Sequence, residues 1–108
     1  MGRANSERAV QLGPESRIGV RPSVVLREEF DDWAVLFDPD TGTALAINPI
    51  GAAVWRLLDG ARTLRQVLQE IRGSFCGVPR SGMADLEAFV QELHAAGLVR
   101  LAAAGREV

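Results

Sequence analysis

The chain has 108 residues, of which 47% are hydrophobic, and its formal net charge is −2. This is the size of one small domain, with enough apolar residues to bury a core. The single cysteine excludes an internal disulfide, and the slightly acidic balance argues against a nucleic-acid partner. No apolar run is long enough to span a membrane. We therefore expect a cytoplasmic protein with no membrane partner.

Three short segments predict β-strands. Residues 23–28 and 33–37 are rich in apolar side chains, and residues 43–47 follow strong turn residues at positions 38–42. Because the connections are short, we expect an antiparallel meander with residues 33–37 in the middle. The third segment contains no charged residue and no proline. As an edge strand, it would leave its backbone groups open to another extended chain.

Three helices are predicted after the strands. Asn48 has the residue type that begins a helix, and Gly60 follows the end of the first one. Residues 63–66 have the spacing of a capping box and begin a second helix. The third helix is predicted to begin near Ser81 and to end at Gly97. The order β-β-β-α-α-α predicts an α+β fold similar to a winged helix-turn-helix.

The ends of the chain differ from its centre. Residues 1–20 mix charged residues with Ser and Gly and show no periodicity, which predicts a disordered tail. The folded domain is expected to span residues 21–102, followed by a short C-terminal tail at residues 103–108. Within that domain, the apolar residues 98–101 are expected to pack back on the core.

No constellation of catalytic or metal-binding residues is visible in the sequence. His94 is the only histidine and Cys76 the only cysteine, and neither has carboxylates at the spacing of a zinc site. The glycines are scattered and do not form a phosphate-binding loop. We therefore expect a protein that is not an enzyme and that has no metal site and no cofactor.

Two alternative functions remain open. The helix-turn-helix pattern allows a small DNA-binding regulator. The third helix, however, carries Asp85, Glu87 and Glu92 and has no Arg before Arg100, which opposes contacts with phosphates. The open edge also allows a dimerising module, in which the third strand pairs with that of a second copy.

The ordered combination of segments resembles a known family, the PqqD-like proteins. The resemblance spans residues 25–101 and rests on the hairpin LFDPDTGTALAIN, the helical segment GAAVWRLLDGARTLRQVLQEI and the last helix DLEAFVQELHAAGLV. In the last helix, Asp85, Phe89, Leu93 and Gly97 match the family pattern. These proteins are also called RiPP recognition elements, because they bind ribosomally made peptides that are later modified.

The resemblance implies a peptide chaperone with a fold similar to a winged helix-turn-helix. Such proteins bind the leader part of a precursor peptide and deliver it to a modifying enzyme, often a radical SAM protein with a SPASM extension. The leader is added as a strand beside the third strand and rests against the third helix. The expected partners are therefore a leader peptide and a radical SAM/SPASM maturase, with a homodimer as a further possibility.

The resemblance also implies which residues contact the peptide. On the third strand these are Thr43, Ala44, Leu45, Ala46 and Ile47. On the third helix they are Asp85, Phe89 and Glu92 on one flank. The opposite flank carries Met83, Glu87, Gln91 and His94. The sequence leaves open which flank meets the sheet edge, because both lie beside the buried face of the helix.

Overall fold

Strands and helices alternate along the chain more often than the sequence predicts. The computed structural model describes residues 11–102. The strands in this part of the chain are β1 (Arg17–Val20), β2 (Val25–Glu28), β3 (Ala34–Asp38), β4 (Thr43–Ile47), β5 (Asp59–Thr63) and β6 (Val99–Leu101). The helices are α1 (Pro49–Leu57), α2 (Leu64–Ser74) and α3 (Gly82–Ala95). A single 3-10 turn, Phe30–Asp32, joins β2 to β3. Among these residues, no helix combines the length and apolarity needed to cross a membrane.

The predicted meander is confirmed. Strands β2, β3 and β4 form an antiparallel sheet in that order, with β3 in the middle. On β3, Ala34 and Leu36 are buried and point into the core, whereas Phe37 on the opposite face is exposed. Gly42, with a φ of 79°, closes the turn between β3 and β4, as expected for a position that favours glycine. The strand boundaries place residues 43–47 where the sequence predicts them.

The predicted helix starts are also confirmed. Hydrogen bonds between residues close in the sequence cap α1 and α2. The side chain of Asn48 accepts a hydrogen bond from the backbone N–H of Gly51, which caps α1. Thr63 and Gln66 form both hydrogen bonds of a capping box at the start of α2. Gly97 follows the end of α3 and has a φ of 78°. It adopts the left-handed conformation that is common directly after helices.

Asp59, the first residue of β5, forms hydrogen bonds through its side chain. Its carboxylate accepts hydrogen bonds from the backbone N–H groups of Arg62 and Ala61, and these bonds lower the pKa of Asp59. The carboxylate thereby organises the start of β5, a strand that lies between α1 and α2. The predicted order β-β-β-α-α-α is therefore incomplete, because three further strands join the meander and the helices. The coarser prediction of an α+β fold is correct.

The second sheet corrects the predicted N-terminal tail. Its order is β5-β1-β6, with antiparallel pairs on both sides of β1. Residues 17–20 were assigned to the disordered tail, but they form the central strand, and Ile18 is only 2% exposed. The sequence signal is weak because the strand is short and its partners lie far along the chain. Residues 1–10 and the predicted C-terminal tail at 103–108 lie outside the described residues.

One hydrophobic core connects the two sheets to the helices. Its most deeply buried large side chains come from β1, β3, α2, α3 and β6 and from the residue before β6: Ile18, Leu36, Leu64, Val67, Val90, Leu93, Leu98 and Val99. The prediction that residues 98–101 pack back on the core is confirmed for Leu98 and Val99, whereas Arg100 and Leu101 are exposed. The core therefore holds α3 at a set distance from the β2-β3-β4 sheet, which matters for the groove described below.

We expect strand β1 to be essential for stability. Ile18→Ala should lower the free energy of unfolding by about 2–5 kcal/mol, because a buried side chain is removed. A chain beginning at Arg21 should melt at least ~10 °C below the full chain, since it also leaves β5 and β6 unpaired. Thermal and urea denaturation followed by circular dichroism would measure both. Leu101→Ala, at a residue 41% exposed in the same sheet, is the control and should cost less. An unchanged melting temperature for the shortened chain would contradict a role for β1.

Candidate functional site

Strand β4 lies at the edge of its sheet. It pairs with β3 on one side, and no strand among residues 11–102 pairs with its other side. The exposed positions along this strand, Ala44 and Ala46, carry small side chains. Nothing in the strand has the charge, proline or bulge with which proteins usually protect such an edge. The backbone of β4 is therefore accessible to another extended chain.

The hydrogen-bond pattern identifies which backbone groups of β4 face outward. At the end of the β2–β3 hairpin, Glu29 N donates to Trp33 O at 2.7 Å. In an antiparallel ladder, alternate residues point both backbone groups toward the same neighbour. Trp33 thus faces β2, and Leu36, three residues further on, faces β4. Leu45 lies opposite Leu36 in the register, so its N–H and C=O face β3.

The same alternation turns the neighbouring residues of β4 away from the sheet. Because Leu45 faces β3, the N–H and C=O groups of both Ala44 and Ala46 point outward from the edge. The other hairpin agrees with this assignment, since Asp38 O accepts the N–H of Gly42 at 2.7 Å on the β4 side of β3. Ala44 and Ala46 therefore offer two donors and two acceptors that the sheet does not use.

A groove of about 540 Å³ lies beside this edge. Three residues of β4 line it, together with residues from all three helices and from the loop before α3. The strand contributes Leu45, Ala46 and Ile47; the helices contribute Ile50, Gly51, Val54, Leu68, Ile71, Gly82, Asp85, Leu86, Phe89 and Glu92; the remaining lining is Trp33, Asn48 and residues 76–79. Its size and mainly apolar lining are those of a ligand-binding cleft.

The structure distinguishes the two flanks of α3. Asp85, Phe89 and Glu92 all line the groove, whereas none of Met83, Glu87, Gln91 and His94 does. Of the eight residues predicted to contact a peptide, six come together around the groove. Thr43 and Ala44 lie at the start of β4 and do not line the groove. The position of the flank follows from the burial of Leu86, Val90 and Leu93, which sets the rotation of α3 about its axis.

At Gly51, helix α1 passes close to side chains of both β4 and α3. A Cβ atom on Gly51 would lie 3.2 Å from Ile47 Cβ, 3.2 Å from Phe89 Cζ and 3.3 Å from Asn48 Oδ1. Distances this short leave no room for a side chain without movement of a neighbour. Gly51 therefore allows one residue from each of the three elements to meet, and it supports the ring of Phe89 from behind.

The charged groups in the groove are all acidic. Asp85 and Glu92 are exposed on its helical wall, and no Lys or Arg among the described residues lines it. Asp85 Oδ2 accepts a hydrogen bond of 2.9 Å from Ser81 Oγ, which holds the carboxylate near the start of α3. The groove thus combines an apolar floor, an open strand edge and a negatively charged wall.

Several groove residues have no counterpart in the sequence prediction. Trp33 is 47% exposed and lines the groove from the start of β3. Because residues 33–37 are all apolar, the sequence does not show which of them face the core. It therefore does not distinguish the exposed Trp33 from the buried Ala34. Ile50, in the first turn of α1, is 43% exposed and also lines the groove. An apolar residue in the first turn of a helix that directly follows a strand is the available signal, since that turn lies next to the end of the strand.

No metal centre accompanies the groove within residues 11–102, where no three residues among His, Cys, Asp and Glu are grouped to hold an ion. Cys76 is exposed and lines the groove. His94 lies away from the groove, and its Nδ1 atom is buried without a hydrogen-bond partner. The chemistry that the site offers is therefore recognition through backbone groups, apolar contacts and carboxylates.

Comparison with known proteins identifies the family. Residues 34–99 match the family described as coenzyme PQQ synthesis protein D (PqqD), which is more than half of the chain. This protein belongs to the PqqD family. The matched residues contain β3, β4 and the three helices, and hence nearly the whole groove lining of this PqqD-family member. A comparison with curated proteins found no match.

A solved structure shares the fold of this PqqD-family protein. It is described as TbiB1 in complex with the TbiA(β) leader peptide, and it superposes with a TM-score of 0.64 at 23% sequence identity. The match covers 76% of this chain and 94% of the other. The fold of TbiB1 is therefore that of the present protein over most of its length.

We expect the close approach at Gly51 to be a real constraint on the groove. Gly51→Ala should be at least ~1 kcal/mol less stable than Gly73→Ala, because added atoms in a packed site force neighbours to move. Both variants remove a helical glycine, so the gain in helix propensity of up to about 1 kcal/mol is common to them. No atom lies within 4 Å of a Cβ on Gly73. Urea denaturation would measure the difference, and equal stability of the two variants would contradict the constraint.

Proposed function

We propose that this protein is a non-catalytic peptide chaperone. It captures the leader of a ribosomally made precursor peptide by strand addition to β4 and presents it to a modifying enzyme. Membership of the PqqD family supports this function, as does the shared fold of TbiB1, a protein solved with a leader peptide. The observation that carries the proposal is the unpaired edge of β4 beside an apolar groove.

The proposed binding mode uses two kinds of contact. A leader strand would pair with the outward N–H and C=O groups of Ala44 and Ala46, as in other cases of strand addition. Its alternate side chains would then point into the groove, toward Phe89 and the flank of α3. Thr43, Leu45 and Ile47 would hold the edge in place through their bonds to β3. Asp85 and Glu92 would complete the wall.

The enzyme that receives the peptide is proposed to be a radical SAM protein with a SPASM extension. The family resemblance supports this partner. The similarity to a winged helix-turn-helix, the absence of catalytic activity and the cytoplasmic location are part of the same proposal. DNA binding is the weaker alternative, because the groove flank of α3 presents carboxylates where a recognition helix needs basic and amide side chains.

Proline at an outward position of β4 should block the leader without unfolding the protein. Ala46→Pro removes an N–H that the sheet does not use, while the ring obstructs a strand added to that edge. We expect leader affinity to fall by at least ~1 kcal/mol, since a bond is lost and its partner is left unpaired. Titration of a fluorescently labelled leader, taken from a precursor gene adjacent to this one, would measure the affinity of each variant.

Three controls separate backbone recognition from other effects. Ala46→Ser keeps the N–H and should bind as the parent does. Ala44→Pro removes the second outward N–H and should also weaken binding. Leu45→Pro removes an N–H bonded to β3, so it should lower the melting temperature. Unchanged leader affinity in both Ala44→Pro and Ala46→Pro, with circular dichroism intact, would overturn strand addition.

The same edge also favours a homodimer as a second candidate. Two copies of β4 could pair antiparallel about a two-fold axis, which is the common geometry for such an edge. Analytical ultracentrifugation over a concentration series should then show a dimer that Ala44→Lys abolishes. Added leader peptide should dissociate it, because both occupants use the same backbone groups. A protein that sediments as a monomer up to its solubility limit would contradict self-pairing.

A further inference from the structure

The charge of the groove restricts which peptides can occupy it. Its lining is apolar except for a few polar groups, and the two carboxylates of Asp85 and Glu92 are the acidic ones. Both lie on the same flank of α3, one helical turn or less from Phe89. No basic residue within the described part of the chain lines the groove to balance them. A peptide bound along this flank of α3 would therefore place its side chains beside two exposed carboxylates, where Lys or Arg fits better than Asp or Glu.

We propose that the groove selects leader segments that carry Lys or Arg on the side facing α3, next to apolar residues that fill its floor. This inference rests on the proposed function, because it assumes that the groove holds a peptide. Opposite charges steer encounter and suppress wrong partners, whereas backbone pairing with β4 accepts almost any sequence. The carboxylates would thus supply selectivity that the strand edge lacks.

The two carboxylates do not contribute equally. Asp85 accepts a hydrogen bond from Ser81 Oγ, and a positive charge lies near its end of the groove. That charge is Arg72, whose Nη2 atom would lie 3.0 Å from a Cβ on Gly82. Gly82 lies three residues before Asp85 and ten before Glu92 on α3, so Arg72 offsets more of the negative charge at Asp85 than at Glu92. Glu92 lies about 10 Å further along the helix axis, so we infer that it is the stronger determinant.

The expected effect is moderate because both side chains are exposed. Interactions between exposed charges are weakened by water and salt. Neutralising one partner should therefore change peptide affinity about two- to fivefold, and reversing its charge should change it more. The selectivity should also decrease as the salt concentration rises, while the contribution of the apolar floor should persist.

A random peptide library tests the selectivity without knowledge of the natural leader. The probe is a library of 12-residue peptides displayed on mRNA and selected against the immobilised full chain. Binders of the parent protein should be enriched in Lys and Arg. The enrichment should be lost with Glu92→Arg and reduced with Asp85→Arg. Glu87→Arg is the matched control, since it makes the same change on the same helix away from the groove, and it should keep the enrichment.

The outcomes distinguish this inference from the proposed function. Binders that depend on the outward N–H of Ala46 but show no preference for Lys or Arg would overturn the charge selectivity alone. Equal Lys and Arg enrichment in the parent and in Glu92→Arg would do the same. Failure to select any peptide, or binding that survives Ala46→Pro unchanged, would overturn both.

A charge exchange between protein and peptide gives the decisive measurement. A selected peptide in which one Lys is replaced by Glu should bind the parent at least ~5-fold more weakly. The same altered peptide should recover affinity with Glu92→Arg. In this pair the peptide carries the negative charge and the protein the positive one, so opposite charges face each other again. Circular dichroism would verify that each variant is folded. Loss of affinity without recovery in the exchanged pair would contradict a direct interaction with Glu92.

Discussion

The site depends on the close approach of α1 to β4 and α3 at Gly51. The backbone N–H of Gly51 is bonded to Asn48 Oδ1 at 2.7 Å, so the cap that begins α1 also sets its position against the end of β4. The missing side chain lets Ile47 and Phe89 meet the helix backbone directly. Because protein interiors are densely packed, this junction sets where α3 stands relative to the strand edge. The width of the groove therefore follows from packing behind it.

The strand edge and the groove make different contributions to recognition. Four backbone hydrogen bonds at Ala44 and Ala46 would contribute at most about 6 kcal/mol. Loss of translational and rotational freedom costs about 4–15 kcal/mol on association. Backbone pairing alone therefore cannot hold a peptide tightly, and contacts in the apolar groove have to supply the remainder. In the proposed binding mode, selectivity would therefore come from the groove lining.

Strands β1 and β2 extend the domain beyond the part matched by the PqqD family. The match begins at residue 34 and ends at residue 99, whereas β1 and β2 precede it. Strand β1 pairs with β5 on one side and with β6 on the other, so each of these two strands is paired along one side. Among residues 11–102 the outer sides of β5, β6, β2 and β4 pair with no other strand, and β4 is the one of these four whose residues line the groove. Edge strands are usually protected against uncontrolled pairing, and β4 carries no charge, proline or bulge that would protect it.

Local signals in the sequence determined the parts of the structure that depend on neighbouring residues. Asn48 and Thr63 begin helices, Gly42 closes a hairpin and residues 43–47 form an uncharged strand, because each feature involves residues within one turn or hairpin. Tertiary structure alone decided that Asp85, Phe89 and Glu92 face the groove, since the rotation of α3 follows from buried residues on other elements.

Strand β1 shows the same limit on what a sequence can indicate. Four residues without helical or alternating context become a central strand only because β5 and β6 lie on either side of them. Trp33 and Ile50 likewise become groove residues only where β3, β4 and α1 converge. Hydrogen bonds within a turn are encoded by adjacent residues, whereas pairing between distant strands depends on the packing of the whole core. For that reason the sequence indicated the three-stranded meander and the helix starts, whereas it did not indicate β1, β5, β6 or the groove.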